Sequence, residues 1–186
     1  EGVQKAVSQL ALGTAFFSSA STAQWFELLD AFVDCGGTLI DSGRVYALGQ
    51  GGRMAAYELV TGQRIWELSL SGISTPALAG EWLFTLTSDA RLLAIARASG
   101  KVRWVTDLPR YKDEKDRKGP IFWTGPVLAS NMLYIANSRG ELWQASVGEG
   151  SASMMTKLKA PVSLPPIVAN NTLYVLDDGG TITAFR

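Results

Sequence analysis

Two short stretches have the residue types of ligand-binding loops. Gly49-Gln-Gly-Gly52 suggests a phosphate cradle, but it lacks the G-x-x-x-x-G-K-[ST] spacing and leads into a strand-like run. Asp177-Asp178-Gly179-Gly180 suggests a calcium loop, but it lacks the alternating ligands and closing glutamate of an EF-hand. Because hairpins favour Asp and Gly in tight turns, both stretches are predicted to be turns, and no metal or cofactor site is expected.

The composition argues against several further kinds of chemistry. The 186 residues include no histidine, so the commonest general base and metal ligand is missing, and the lone Cys35 cannot form a disulfide within the chain. Lysine plus arginine equals aspartate plus glutamate, 17 each, which gives no reason to expect nucleic acid or an anionic membrane as partner. No signal peptide and no run of 18 apolar residues appears, so the chain as given is expected to be soluble, without membrane insertion.

Most of the chain is organised by an internal repeat. Four segments align without gaps, each a polar residue followed by a strand-forming run: Gly43–Leu48, Glu81–Leu86, Asn131–Ala136 and Asn171–Leu176. Further strands are predicted upstream at 75–80, 125–130 and 165–170, downstream at 53–57, 91–95, 141–145 and 181–185, and after a glycine at 62–66, 100–104 and 150–154. Four short strands per unit of about 40 residues predict a mainly β fold of about four β-propeller blades. A β-sandwich is the alternative, but it does not predict this self-similarity.

A charged insertion lengthens one junction between these units. Residues 110–118 (RYKDEKDRK) are mixed in sign and are predicted to form a solvated loop. Propellers bind partners through loops on their faces, and apolar residues follow this loop directly. The candidate protein-contact residues are Arg110, Tyr111, Phe122 and Trp123.

Residues 1–42 follow a different pattern. Val7–Phe17 is predicted to be a strand, apolar residues at helical spacing predict a helix over 22–35 that ends at Gly36-Gly37, and Thr38–Asp41 is predicted to be the next strand. This strand–helix–strand order is not that of a propeller.

The repeat part resembles PQQ-like propeller repeats, on Gly43–Leu48 together with residues 59–67 (LVTGQRIWE). Residues 43–186, including 104–110 (WVTDLPR) and 119–129 (GPIFWTGPVLA), are similar to the C-terminal half of the BamB family. Members of that family are eight-bladed propeller lipoproteins of the outer-membrane β-barrel assembly machinery. The resemblance implies a non-enzymatic scaffold for protein partners at the periplasmic side of the outer membrane. The family's lipid-anchoring N-terminal cysteine is not in the chain as given, which as such would be cytoplasmic.

The N-terminal part resembles the first βαβ unit of the aldo-keto reductases, on residues 7–14 (VSQLALGT) and 26–41 (FELLDAFVDCGGTLID). The resemblance implies that Asp41 and Tyr46 match two catalytic positions of that family, with NADPH as cofactor. The family's catalytic lysine and histidine have no counterpart here, so Tyr46 is expected to be a strand aromatic and the chain to have no catalytic residue. The alternative function is that of an NADPH-dependent oxidoreductase fragment, which a titration with NADPH would reveal.

These two resemblances meet in mid-strand, whereas natural fusions join complete domains through linkers. The chain is therefore interpreted as a recombinant chimera, natural or engineered, of units 1–42 and 43–186, without an evolved function of its own. A shift of 38 residues places Thr38–Ser42 on Pro76–Gly80, so this strand is expected to serve as the first strand of the first blade.

Two ways of closing the ring remain open. Strand 7–17 is expected to cover the edge of the last blade, either within a four-bladed monomer or in a homodimer that rebuilds eight blades. An eight-bladed parent favours the dimer. The position of helix 22–35, over a blade or at the ring centre, is left open.

Overall fold

The computed structural model describes residues 38–41, 43–72 and 74–186, and these residues form seventeen β-strands. Blade 1 comprises β1 (Thr38–Asp41), β2 (Arg44–Leu48), β3 (Met54–Glu58) and β4 (Arg64–Leu68). Blade 2 comprises β5 (Ala77–Ala79), β6 (Trp82–Leu86), β7 (Arg91–Ala96) and β8 (Val102–Asp107). A hairpin of β9 (Tyr111–Asp113) and β10 (Lys118–Pro120) follows. Blade 3 comprises β11 (Trp123–Ala129), β12 (Met132–Asn137), β13 (Glu141–Ser146) and β14 (Ala152–Lys157), and blade 4 comprises β15 (Ile167–Ala169), β16 (Thr172–Leu176) and β17 (Ile182–Phe185).

Each blade is an antiparallel meander in which strands pair in chain order. Blades 1 to 3 have four strands, and blade 4 has three within the described residues. This architecture is the partial β-propeller that the repeat predicted, and it excludes the β-sandwich alternative. The predicted strand 7–17, helix 22–35 and Cys35 lie outside the described residues.

The first strand of blade 1 lies in the register that the repeat predicted. In β1, Leu39 pairs with Tyr46 of β2. In blade 2, Ala77 pairs with Phe84, and both partners are displaced by 38 residues from that first pair. Residues 38–41 therefore take the place of a blade's first strand, as the alignment required.

In blades 1 to 3, the last strand begins two residues later than the sequence predicted. Gly62, Gly100 and Gly150 all have a positive φ, and each donates its backbone N–H to the carbonyl four residues earlier. These glycines therefore close the hairpin and do not open the strand. The pattern glycine-then-strand located the element correctly but placed its start inside the turn.

Three apolar cores lie between neighbouring blades, and each is built from the same repeat positions. Between blades 1 and 2, Tyr46 and Leu48 pack with Leu83. Equivalent residues fill the next two junctions: Phe84, Leu86, Leu133 and Ile135 between blades 2 and 3, and Ala136, Leu142, Leu173 and Val175 between blades 3 and 4. Alternation along each second strand thus sends one residue set toward the preceding blade and the other toward the following blade.

Tryptophans of the last strands of blades 1 and 2 donate hydrogen bonds to the next blade and pack against it. Trp66 donates its indole N–H to the carbonyl of Arg97 at 2.9 Å, and Trp104 donates to the carbonyl of Val147 at 3.1 Å. Both rings lie against the glycine of the neighbouring hairpin, where a Cβ on Gly100 would approach Trp66 Cδ2 to 2.9 Å. Trp66 and Trp104 therefore pack between neighbouring blades.

Candidate protein-contact surfaces

The stretches with the composition of ligand loops form turns between the second and third strands. In blade 4, Asp177 is buried, and its Oδ1 accepts the backbone N–H groups of Gly179 at 3.0 Å and Thr181 at 2.9 Å. The same position in blade 3 is Asn137, whose Oδ1 accepts the N–H of Glu141 at 3.2 Å. Because this carboxylate satisfies its own turn, Asp177 acts as a turn former, as predicted. Residues 49–52 also connect a second and a third strand.

Charged side chains in these turns are paired locally. Partial burial opposes ionisation of Asp89, but hydrogen bonds from Thr87 and Arg91 and the Arg91 charge outweigh it, so the pKa of that carboxyl lies below its ordinary value. In blade 3, Glu141 is buried and accepts from Asn137 Nδ2 at 2.9 Å and from Trp143 Nε1 at 3.3 Å. The contacts of Asp89 and those of Glu141 each stabilise the turn between the second and third strands of their own blade. The described residues contain no cluster of three or more potential metal ligands.

Tyr46 is a fully buried strand aromatic in the core between blades 1 and 2. Its ring lies 6.1 Å from that of Trp66, and its hydroxyl accepts a hydrogen bond from Arg97 Nε at 3.2 Å. The side chain of Asp41 lies outside the described part of the structure. The environment of Tyr46 is thus a packing environment closed to substrate.

The charged insertion forms a compact hairpin in which acidic side chains hold the backbone. We call residues 110–123 the charged hairpin. Glu114 Oε1 accepts the N–H groups of Arg110 at 2.7 Å and Tyr111 at 3.1 Å. Asp113 Oδ1 accepts the N–H groups of Lys115 and Asp116, both at 3.1 Å. The predicted loop is therefore ordered into two strands and a turn.

Predicted contact residues of the charged hairpin separate into outward and inward positions. Phe122 is 70% exposed, and the Arg110 side chain is also exposed. Tyr111 is half-buried. Trp123 points inward, because its indole N–H donates to the carbonyl of Pro109 at 2.8 Å and its ring packs edge-on against Trp143 at 5.5 Å. The structure thus places Arg110 and Tyr111 at the base of the paired strands, Phe122 shortly after them and Trp123 at the start of β11, and it presents Phe122 most fully.

A second exposed surface lies on blade 4, and we call it the open face. It consists of Ile167, Tyr174, Leu176 and Ile182, which are cross-strand or alternate-residue neighbours on one side of the sheet. Ile182 is 67% exposed, whereas its repeat equivalents Met54, Leu92 and Leu142 are fully buried under the next blade. The open face is therefore an inter-blade face without a blade on it in the described structure. The repeat alignment contains this signal, since it places Ile182 at the position of Leu142. The sequence analysis predicts an open edge on the last blade but not this exposed apolar face.

Sequence comparison finds similarity to proteins described as outer membrane protein assembly factors. A model of the family described as outer membrane protein assembly factor BamB matches residues 20–106, somewhat less than half of the chain. The BamB of Alkalilimnicola ehrlichii is 26% identical over 149 residues, which are 80% of this chain and 37% of that protein. The BamB of Salmonella typhimurium is 26% identical over 147 residues, 78% of this chain and 35% of that protein. The chain therefore spans little more than a third of these curated relatives.

Solved structures agree with the propeller architecture. The crystal structure of BamB from Moraxella catarrhalis superposes with a TM-score of 0.67 at 20% identity, covering 79% of this chain and 41% of that chain. The computationally designed Ika4 protein superposes with a TM-score of 0.62 at 11% identity, covering 81% of this chain and 89% of that one. At such identities the likeness establishes the fold alone.

Within the described ranges, no helix has the length and apolarity needed to cross a membrane.

Proposed function

We propose that the chain is a non-enzymatic propeller scaffold that holds protein partners on its exposed surfaces. The observation that carries this proposal is the combination of a BamB-like fold with two exposed surfaces, the charged hairpin with its exposed Phe122 and the apolar open face. The relatives are described as outer membrane protein assembly factors, so the proposed setting is the periplasmic side of the outer membrane. Proteins of this kind act by positioning partners, which needs surfaces and no reacting groups.

The open face supports a specific partner, a second copy of the chain. Three of its four residues occupy repeat positions that are covered by the next blade elsewhere in the fold: Tyr174, Leu176 and Ile182. A contiguous apolar patch on a soluble protein marks an interaction site. A head-to-tail homodimer would place blade 1 of one copy on the open face of the other and would rebuild eight blades.

Blade 1 sets a condition on this arrangement. Its side toward a preceding blade carries Val45, Ala47 and Ala55, all buried in the single chain. A head-to-tail ring therefore requires this side of blade 1 to be uncovered, whereas packing of one open face on another does not. Both dimers bury the open face, so one substitution there tests both.

Light scattering after size exclusion tests the proposal. The chain of 20.0 kDa is expected to elute with twice that mass, and Ile182→Glu is expected to reduce it to one chain, because a carboxylate would be buried without a partner. Val105→Glu is the matched control, since Val105 is a half-exposed valine on β8, away from the open face. A monomeric wild type, or a dimer that Ile182→Glu leaves intact, contradicts self-association through this face.

We also propose that residues 1–42 and 43–186 are units of separate origin, joined as a chimera. The two resemblances that meet at residues 41–48 carry this proposal, and the register of β1 in blade 1 fits a foreign strand and a native strand equally well. The family match that begins at residue 20 weighs against a boundary as late as residue 42.

A further inference from the structure

We infer that the charged hairpin docks an acidic segment of another protein, with a large apolar side chain of that segment packed on Phe122. This inference rests on the contact role proposed for the hairpin and adds the chemistry of its partner. The charge of the hairpin, a rigid apolar anchor and four cations without an ion pair in the described part of the chain point to it together.

Charge is distributed unevenly over the chain. Residues 110–118 contain five cations and three carboxylates, whereas the whole chain has a formal net charge of zero. Two of the carboxylates, Asp113 and Glu114, face backbone N–H groups of their own turn. The third, Asp116, pairs with Lys118 at 3.2 Å. Local carboxylates are thus directed into the hairpin.

Four cations of the hairpin have no ion pair within the described residues: Arg110, Lys112, Lys115 and Arg117. All four are exposed. Positive groups in this position attract an anionic partner over about 8–10 Å at moderate ionic strength and favour acidic over basic segments.

Phe122 supplies a preorganised anchor beside these cations. Ser138 holds its backbone on both sides: the N–H of Phe122 donates to Ser138 Oγ at 3.0 Å, and the Phe122 carbonyl accepts the N–H of Ser138 at 2.9 Å. Neighbouring Ile121 is buried and donates its N–H to the carbonyl of Arg110 at 2.8 Å, which closes the base of the hairpin. A fixed backbone lowers the entropy that an exposed aromatic loses on binding, so Phe122 has the properties of a binding hot spot.

A fluorescent peptide of alternating acidic and apolar residues tests the inference, with its Asn/Gln analogue as comparison. Fluorescence anisotropy is expected to show binding of the acidic peptide at least about tenfold tighter than the neutral one, weakening as salt rises. Lys115→Glu and Phe122→Ala are each expected to weaken it at least about tenfold. Lys101→Glu, the same charge change at an exposed lysine of blade 2, is expected to leave it unchanged.

The variants also separate this inference from the proposed self-association. Lys115→Glu and Phe122→Ala should retain the wild-type mass and thermal midpoint, and Ile182→Glu should still bind the acidic peptide. Equal binding of both peptides, no binding of the acidic peptide, or equal losses in Lys115→Glu and Lys101→Glu would overturn the inference. In each of those cases an unchanged dimer would leave the scaffold proposal in place.

Discussion

Thr85 is a polar residue in an apolar position. It is fully buried in β6, and within the described residues its hydroxyl has no hydrogen-bond partner. The equivalent residues of the other blades are Ala47, Ile135 and Val175, which are all buried and apolar. A buried donor without a partner keeps its desolvation cost, so this hydroxyl opposes folding.

We therefore predict that Thr85→Val raises the free energy of unfolding by about 1 kcal/mol, because it removes the unpaired hydroxyl at nearly constant volume. Urea unfolding followed by tryptophan fluorescence measures this change. Thr87→Val is the matched control, since the Thr87 hydroxyl donates to the Arg91 carbonyl and accepts the Arg91 N–H, both at 3.1 Å. That control should lower stability, and a loss in Thr85→Val would mean that its hydroxyl is hydrogen-bonded after all.

At the scale of elements, the hairpin between the third and fourth strands of blades 2 and 3 is where the preceding blade packs, as Gly150 of blade 3 shows. Gly150 has a φ of +72°, and a Cβ there would lie 2.7 Å from Trp104 Cδ2 and 2.7 Å from Thr106 Oγ1. The Gly150 carbonyl also accepts a hydrogen bond from Thr106 Oγ1 at 2.6 Å. Glycine is required here for the turn and for the close approach of β8.

Gly150→Ala is accordingly predicted to lower the free energy of unfolding by more than about 2 kcal/mol, from backbone strain and from overlap with Trp104 together. Gly180→Ala isolates the first contribution, because Gly180 has a φ of +83° but no atom within 4 Å of an added Cβ. That variant should cost only about 1–2 kcal/mol, the strain of an L-residue at positive φ. Chemical denaturation of both proteins measures the difference, and equal losses would show that Trp104 does not constrain Gly150.

At the scale of the whole molecule, stability is a property of the junctions between blades. Each apolar core is shared by two neighbouring blades, so a blade is stabilised through its neighbours, as in other repeat proteins. Blade 4 has such a junction on its blade 3 side, while its open face carries exposed side chains. Substitutions at one repeat position should therefore change the free energy of unfolding by different amounts in different blades.

Leu142 and Ile182 occupy that repeat position in blades 3 and 4. Leu142→Ala is predicted to cost about 2–5 kcal/mol, because a fully buried side chain leaves a cavity. Ile182→Ala is predicted to cost less than about 1 kcal/mol in dilute, monomeric protein, because that side chain is 67% exposed. Denaturation at low and at high protein concentration distinguishes the stability of the monomer from that of the dimer. A cost for Ile182→Ala that rises with concentration would report burial of the open face in the dimer.

The sequence by itself determined the blades. The polar-then-aromatic run of each second strand, its spacing and the turn residues around it specify four meanders, because side-chain alternation and turn chemistry are local properties. Even the register of residues 38–41 followed from alignment with Pro76–Gly80, since one slipped residue would reverse every side chain. The turn roles of 49–52 and 177–180 followed from the same local rules.

Only the tertiary structure decided which surfaces are covered. Trp123 and Phe122 are adjacent aromatics with similar apolar character, yet the fold turns Trp123 inward onto Trp143 and leaves Phe122 exposed. Tyr46 and Tyr174 share one repeat position, but Tyr46 lies under blade 2 and Tyr174 lies on the open face. Burial depends on which blade packs against a residue, and that neighbour comes from elsewhere in the chain. The repeat thus specified each blade, and the packing of blades specified the surfaces available to a partner.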